Sequence, residues 1–295
     1  MNRRTLSACL IGACCALTFA ACETEDPPEG RPGTTKWHWM GALDHHDRVE
    51  FTKMVDELQA VVAREDPEYQ NRAIWFRLAT LHGLGQGHKE IGDAFRAAME
   101  ENEDLIGAYQ NAIQQGNRDA RTYAIQLAES LGDVEKLLEA ETVTLDFAFP
   151  AGEAAPSPVV TQIAEAQTVQ PGPVTTALNH ELKRGIILAA TQLAGEEDAE
   201  KAKAKYDAGP IQVSSTDAKF TVATMLLDTG LLFSKARIFD PKIRNIFLDR
   251  AEMMIEPFAE AEDKELQARA EEFAEEVEDE RRDIAGKARR KEMRE

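Results

Sequence analysis

Three imidazoles and a carboxylate fall within ten residues near the start of the chain, where Trp37-His38-Trp39-Met40 is followed by His45-His46-Asp47. Imidazole nitrogen, carboxylate oxygen and the soft thioether of Met40 are donors for zinc or copper, so a fold-back of this segment would assemble a metal site. Spacing alone does not require it. His38 and His45 are seven apart and would share a helix face, but Gly41 and the polar stretch before them disfavour a regular helix. The simpler use is structural: the tryptophans cap a first helical hairpin and the histidines sit at its exposed start. A platform for an aromatic ligand or a glycan is a third use. His38, His45, His46 and Asp47 thus stand as weak metal candidates, and the reading adopted is no metal and no cofactor. His82 and His88 flank Gly83-Leu84-Gly85-Gln86-Gly87, a run resembling a phosphate loop. It follows a helical pattern instead of a strand and has no Lys-Ser/Thr after it, so it reads as an interhelix turn.

Other chemistry is thin. Beyond the first 22 residues the serines are Ser130, Ser157, Ser214, Ser215 and Ser234, none in a G-x-S-x-G context. Acidic neighbours at 196–198 and 271–279 lie on polar helical faces, where solvation is the expected role. No catalytic residue is assigned and the chain is read as a non-enzyme. Asp+Glu total 53 against Lys+Arg 34, a formal net charge of −19. Such a surface repels phosphate, which excludes a general nucleic-acid binder. Aromatics at 6% disfavour an all-β sandwich, while 43% hydrophobic and 29% charged residues fit a folded body.

The N-terminus carries an address. Arg3 and Arg4 precede an uncharged apolar stretch from Leu6 to Ala21, then Cys22, the pattern of a secretory signal. Ala20-Ala21-Cys22 resembles a bacterial lipobox, with Phe19 departing from the usual aliphatic residue. The resemblance implies cleavage after Ala21 and acylation of Cys22, hence a lipoprotein held on a membrane by its acyl chains. Glu23, instead of Asp, after the cysteine favours the outer membrane in the enteric sorting pattern. The protein would then face the periplasm or the cell surface. Cys9, Cys14, Cys15 and Cys22 are the only cysteines, so the body would hold no disulfide and no Cys-ligated zinc.

These readings divide the chain into a signal (1–21), a Pro/Gly-containing tether (22–36), a helical repeat-like domain (37–141), a Pro-rich connection with a short strand (142–176), a second helical part (177–258) and a charged C-terminal helix (259–295). In 46–140, five amphipathic helices are expected. Phe51, Met54, Val55, Leu58, Val61 and Val62 form one stripe; Ile74, Trp75, Leu78 and Leu81 a second; Ile91, Phe95, Ala98 and Met99 a third. Asp66-Pro67, Gly116-Asn117 and Gly132-Asp133 read as helix stops and starts. Trp75, Leu78, Ala79, His82, Ile91, Phe95, Ala98 and Glu103 fall at the spacings of a tetratricopeptide repeat, and Ala124, Leu127 and Leu131 look HEAT-like. The resemblance implies helical hairpins in series.

From Val143 to Phe149 apolar residues alternate, predicting a short strand that Ile211-Gln212-Val213 would pair with. Phe220–Phe233, apolar nearly all round, predicts a buried central helix; Asp240-Pro241 starts another, which Pro257 ends. In the tail Leu266, Ala270, Phe273, Val277 and Ile284 trace a heptad seam, so a coiled coil is weighed against a helix packed only at its start. Together these give a mainly α chain, either a solenoid-like series of hairpins or an irregular helical bundle, with one or two short strands and a long C-terminal helix. The function expected is a membrane-anchored scaffold that binds an envelope protein or peptide, with no nucleic acid; the alternative is a small-ligand or metal-binding lipoprotein using residues 37–46.

Overall fold

The computed structural model describes residues 31–103, 106–165, 171–234 and 240–292. Ala21 and Cys22, the expected cleavage and acylation sites, lie outside them. Among the described residues the chain is mainly α-helical with one small two-stranded sheet, an irregular helical bundle. Helix α1 (Thr35–Asp47) starts at Thr34, whose hydroxyl accepts the Trp37 N–H at 3.2 Å. The segment around Gly41 is therefore a regular helix after all. Helix α2 (Phe51–Val62) buries the stripe read from the sequence. Between them Val49 takes φ 62°, while the N–H groups of Val49 and Glu50 return to the carbonyls of His46 and His45. That is a helix-terminating turn whose left-handed position normally belongs to glycine. Gly195 fills the same position after a later helix.

The main correction concerns the next stretch. Residues expected to make four helices form two, α3 (Gln70–Glu101) and α4 (Ile106–Leu137), each 32 residues and so about 48 Å long. Gly83, Gly85 and Gly87 lie inside α3, and Gly116 and Gly132 inside α4, so none of them is a turn. Asp66 caps a turn through the Glu68 N–H, and α3 itself begins at Gln70. The positions that resemble a tetratricopeptide signature run along the single helix α3, with Glu103 just past its end; no turn separates them.

The glycines have another purpose. Helix α6 (Pro171–Leu193) crosses α3 so closely that a Cβ on Gly185 would stand 2.0 Å from the Gly83 carbonyl oxygen. A Cβ on Gly87 would meet the Glu181 carbonyl oxygen at 2.7 Å. Only residues without a side chain allow two backbones to touch in this way. With α4 on another side, α3 is buried along most of its length, including Trp75, Phe76, Leu78 and Leu81.

Strand β1 (Thr142–Leu145) pairs antiparallel with β2 (Ile211–Ser214), Val143 opposite Val213 and Leu145 opposite Ile211. The pairing expected from the alternation is present, although β1 stops before Phe147. A short helix α5 (Pro158–Ala164) lies in the Pro-rich segment, and α7 (Ala199–Asp207) follows α6. Helix α8 (Ser215–Leu232) is the buried one, with Val222, Ala223, Met225 and Leu226 inaccessible. Helix α9 (Pro241–Ile255) is capped by Asp240, which accepts from the Lys242 and Ile243 N–H groups, and a 3-10 turn at Glu256–Phe258 ends it at Pro257. In α10 (Lys264–Glu292), Ala270, Phe273 and Val277 are buried on the body, so the first half of the heptad seam packs internally. One core runs from Trp39 in α1 to Val277 in α10, so the two expected helical parts are continuous. A smaller cluster joins Phe95, Tyr109, Ile113 and Ile163 at the far ends of α3 and α4.

Gly185→Ala must push α3 and α6 apart. We expect a loss of about 3 kcal/mol or more and a melting midpoint lower by at least about 6 °C. Gly132→Ala, with nothing within 4 Å of the added methyl, should gain up to about 1 kcal/mol. Thermal unfolding followed by far-UV circular dichroism separates the two. Equal midpoints would refute the close crossing.

Candidate functional site

The structure distributes the four weak metal candidates instead of gathering them. His38 shares a short hydrogen bond with Glu57 of α2. His45 Nδ1 lies 2.7 Å from Glu50 Oε2. His46 is buried between the Phe51 and Phe76 rings, with Nδ1 3.3 Å from Asp47 Oδ1 and burial holding its pKa below the usual value against the Asp47 hydrogen bond. No group of three metal-binding side chains forms among the described residues. Trp39 is buried on Tyr69 and Phe76, while Trp37 is exposed, edge-on to His38. The stretch 37–47 therefore works as packing for α2 and α3.

His82 and His88 also part company. His82 Nδ1 lies 3.0 Å from the Thr229 hydroxyl of α8, which itself donates to the Met225 carbonyl at 2.8 Å, so the imidazole is the donor. His88 stacks on Tyr123 of α4 at 5.9 Å. Burial lowers both to about 4.

A polar cluster unseen in the sequence lies under the Pro-rich segment. Glu181 of α6 is 1% exposed. Its Oε1 accepts the Ser157 N–H at 2.6 Å and its Oε2 lies 3.2 Å from Arg184 Nη1. Arg184 donates through Nε to the Ala154 carbonyl at 2.7 Å and pairs closely with Glu90 of α3. Burial raises the Glu90 pKa, Arg184 opposes it, and Glu181 reinforces it. Two carboxyls beside one guanidinium resemble acid–base machinery. Here Glu181 and Arg184 pin residues 154–157 onto α6, and Glu90 ties Arg184 to α3. Glu90, residues 154–157 and the Glu181/Arg184 pair are far apart in sequence, so no local spacing announces the cluster.

An open apolar groove lies between α4 and α9. Among the described residues four large hydrophobic side chains are exposed, and three of them, Ile125, Ile246 and Met253, line one groove of about 520 Å³. Ala128, Ile243 and Phe247 form its floor. Two ion pairs hold the helices: Arg121–Asp240 at 2.5 Å and Arg250–Glu135 at 2.8 Å. Their order along both chains means that α4 and α9 run in the same direction. Asp249 on the rim and the neighbouring Glu252 are each 2.7 Å from Arg281 of α10, and Glu129 stands on the α4 side. Only the alternation of buried and exposed apolar positions on α9 hinted at this groove. Ile246 and Met253 are two turns apart, outside the stripe of Ile243, Phe247 and Met254. No family model, curated protein or solved structure matches this chain.

The buried histidines set an acid limit. Their folded pKa values are depressed, so unfolded His82 and His88 take up protons below about 6.5 while the folded protein refuses them until about 4. The stability they contribute is present above pH 6.5 and is lost as pH falls to 4, roughly 3 kcal/mol for each. Urea unfolding at stepped pH should show this decline. His88→Phe, which keeps the stack on Tyr123, should make it shallower; an unchanged slope would refute the assignment.

Proposed function

We propose that this chain is a lipid-anchored protein of the cell envelope whose helical body is a docking scaffold. The α4/α9 groove would take a basic, amphipathic segment of an envelope partner protein. The convergence of Ile125, Ile246 and Met253 on one groove carries this reading. Isolated exposed apolar side chains are ordinary on a protein surface, but a contiguous set with a packed floor and a polar rim is what an amphipathic helix or extended peptide buries. Charge supports the choice of occupant. Glu129 and Asp249 line the groove with Arg250, Glu135 pairs with Arg250 and Arg281 pairs with Asp249 and Glu252 beside it, so carboxylates outnumber cations here, on a chain of net charge −19. A basic partner would be steered in, and its association would weaken with salt.

The anchor rests on Ala20-Ala21-Cys22 after the apolar leader. No described helix is long and apolar enough to cross a membrane, so the attachment proposed is the acyl group on Cys22. The outer membrane is favoured by Glu23, with the body facing the periplasm or the cell surface. A groove-bearing body on a tether is suited to holding a partner at the membrane, as in envelope assembly.

A photo-crosslinking side chain at Met253, introduced in the lipidated protein in cells, tests the groove. We expect one envelope protein crosslinked through a basic segment, lost with Ile246→Asp and weakened by salt, with the melting midpoint of the variant within a few degrees of the parent. Adducts no stronger than those from an exposed control position, such as Glu272, would overturn the reading, and crosslinks only to a second copy would reassign the groove to self-association. Cys22→Ala should abolish acyl labelling and release the protein from membranes; retention of both would refute the anchor.

A further inference from the structure

On the other edge of α4 lies a cleft of different character. It is about 320 Å³ in volume, between α2, α3 and α4, and its polar lining is Asp56, Gln59, Arg77, Gln126, Glu129 and Asp133. Arg77 is 6% exposed. It has no hydrogen bond and no ion pair among the described residues, and its Nε is shut off from solvent without an acceptor. The Gln126 Oε1 is likewise buried without a donor. The other buried arginine, Arg244, also has its Nε without an acceptor, but it donates through Nη2 to the Glu280 carbonyl. A buried guanidinium N–H left without an acceptor is costly, because its desolvation is not offset by a hydrogen bond. Consistently, burial lowers the pKa of Arg77, and Asp133 and Glu129 oppose this only at a distance.

The cleft therefore combines one anion-seeking fork with three carboxylates at its mouth, two of them, Asp56 and Glu129, exposed. A simple anion would be attracted by Arg77 and repelled by the rim. A simple cation would leave Arg77 unpaired. A molecule carrying a carboxylate together with positive charge satisfies both, and the volume suits a ligand of amino-acid size. We propose that this cleft binds a basic α-amino acid, its carboxylate on the Arg77 guanidinium and its ammonium groups among Asp56, Glu129 and Asp133. This inference stands apart from the docking groove, since of its residues only Glu129 also lines the groove, the others lying on α2, α3 and the opposite edge of α4.

Isothermal titration calorimetry of the full chain in detergent with L-lysine tests it. We expect saturable binding of L-lysine and at least a tenfold weaker response to L-lysinamide, which lacks the carboxylate. Arg77→Met should abolish binding while leaving the melting midpoint unchanged or higher, because nothing in the fold holds the guanidinium. Asp56→Asn, an exposed change, should weaken binding several-fold. Ile246→Asp should bind L-lysine as the parent does, which keeps a failure of this site distinct from a failure of the groove. No heat with L-lysine, equal binding of the amide, or undiminished binding by Arg77→Met or Asp56→Asn would each overturn the proposal.

Discussion

The body of this protein is organised around α3, and α3 occupies its central place because its backbone touches that of α6. Helices with ordinary side chains at the contact pack with axes about 8–10 Å apart. Gly83 and Gly87 facing Gly185 remove that spacing, and the carbonyl of Gly83 lies where a side chain of Gly185 would begin. Close approach multiplies dispersion contacts along the two helices and closes the space that water would need. It also fixes register. A shift of one residue would set side chains against backbone, so the crossing permits few alternative packings. The burial of Trp75, Phe76 and Leu78 on one part of α3 and of Phe95 and Ala98 further along follows from α3 running unbroken through this contact.

The same crossing explains the polar groups inside. A helix surrounded by α2, α4, α6 and α8 has few positions that reach solvent, so Thr80 and His82 must be satisfied internally. Thr80 donates to the Phe76 carbonyl at 2.7 Å, and His82 finds Thr229. Near the other glycine contact, Glu90, Glu181 and Arg184 meet where residues 154–157 cover the helices. Burying these charges has no large net benefit in itself. Its effect is to give the Pro-rich segment one place to sit: the Ser157 N–H and the Ala154 carbonyl have partners nowhere else. A segment with few buried apolar residues of its own is thereby held by geometry, and α5 starts from a fixed Ser157 cap.

Much of the fold was legible because local chemistry and tertiary structure agree. The stripe Phe51–Val62, the buried run from Phe220, the cap Asp240 and the pairing of Val143 with Val213 each carry their signal within a few residues. Glycine carries no such signal. Gly83-Leu84-Gly85-Gln86-Gly87 looks the same whether it breaks a helix or lets another helix approach, and the residue that decides, Gly185, is far along the chain. Gly116 is similar, since the ring of His88 lies 3.4 Å from where its side chain would begin. The histidine cluster suggests a metal site for the opposite reason. Its residues are close in sequence, but α1 gives each a separate carboxylate or aromatic partner. The groove and the Arg77 cleft were not legible, as each is made by side chains of helices distant in sequence.

Both of those features lie along α4, and their chemistry divides by helix face. Ile125 and Ala128 turn toward α9, whereas Gln126 and Asp133 turn toward α2 and α3, and Glu129 borders both. In the proposed docking, the apolar floor of the groove would contribute affinity that salt does not screen, while rim carboxylates would act on the approach and orientation of a basic segment and be screened within about a Debye length. In the cleft the balance is reversed. Arg77 is largely buried, so the proposed contact with a carboxylate would persist at ionic strengths that silence the rim. One helix thus borders two surfaces of different chemistry, one apolar and one built on a desolvated charge, and among the described lining residues Glu129 is shared by both.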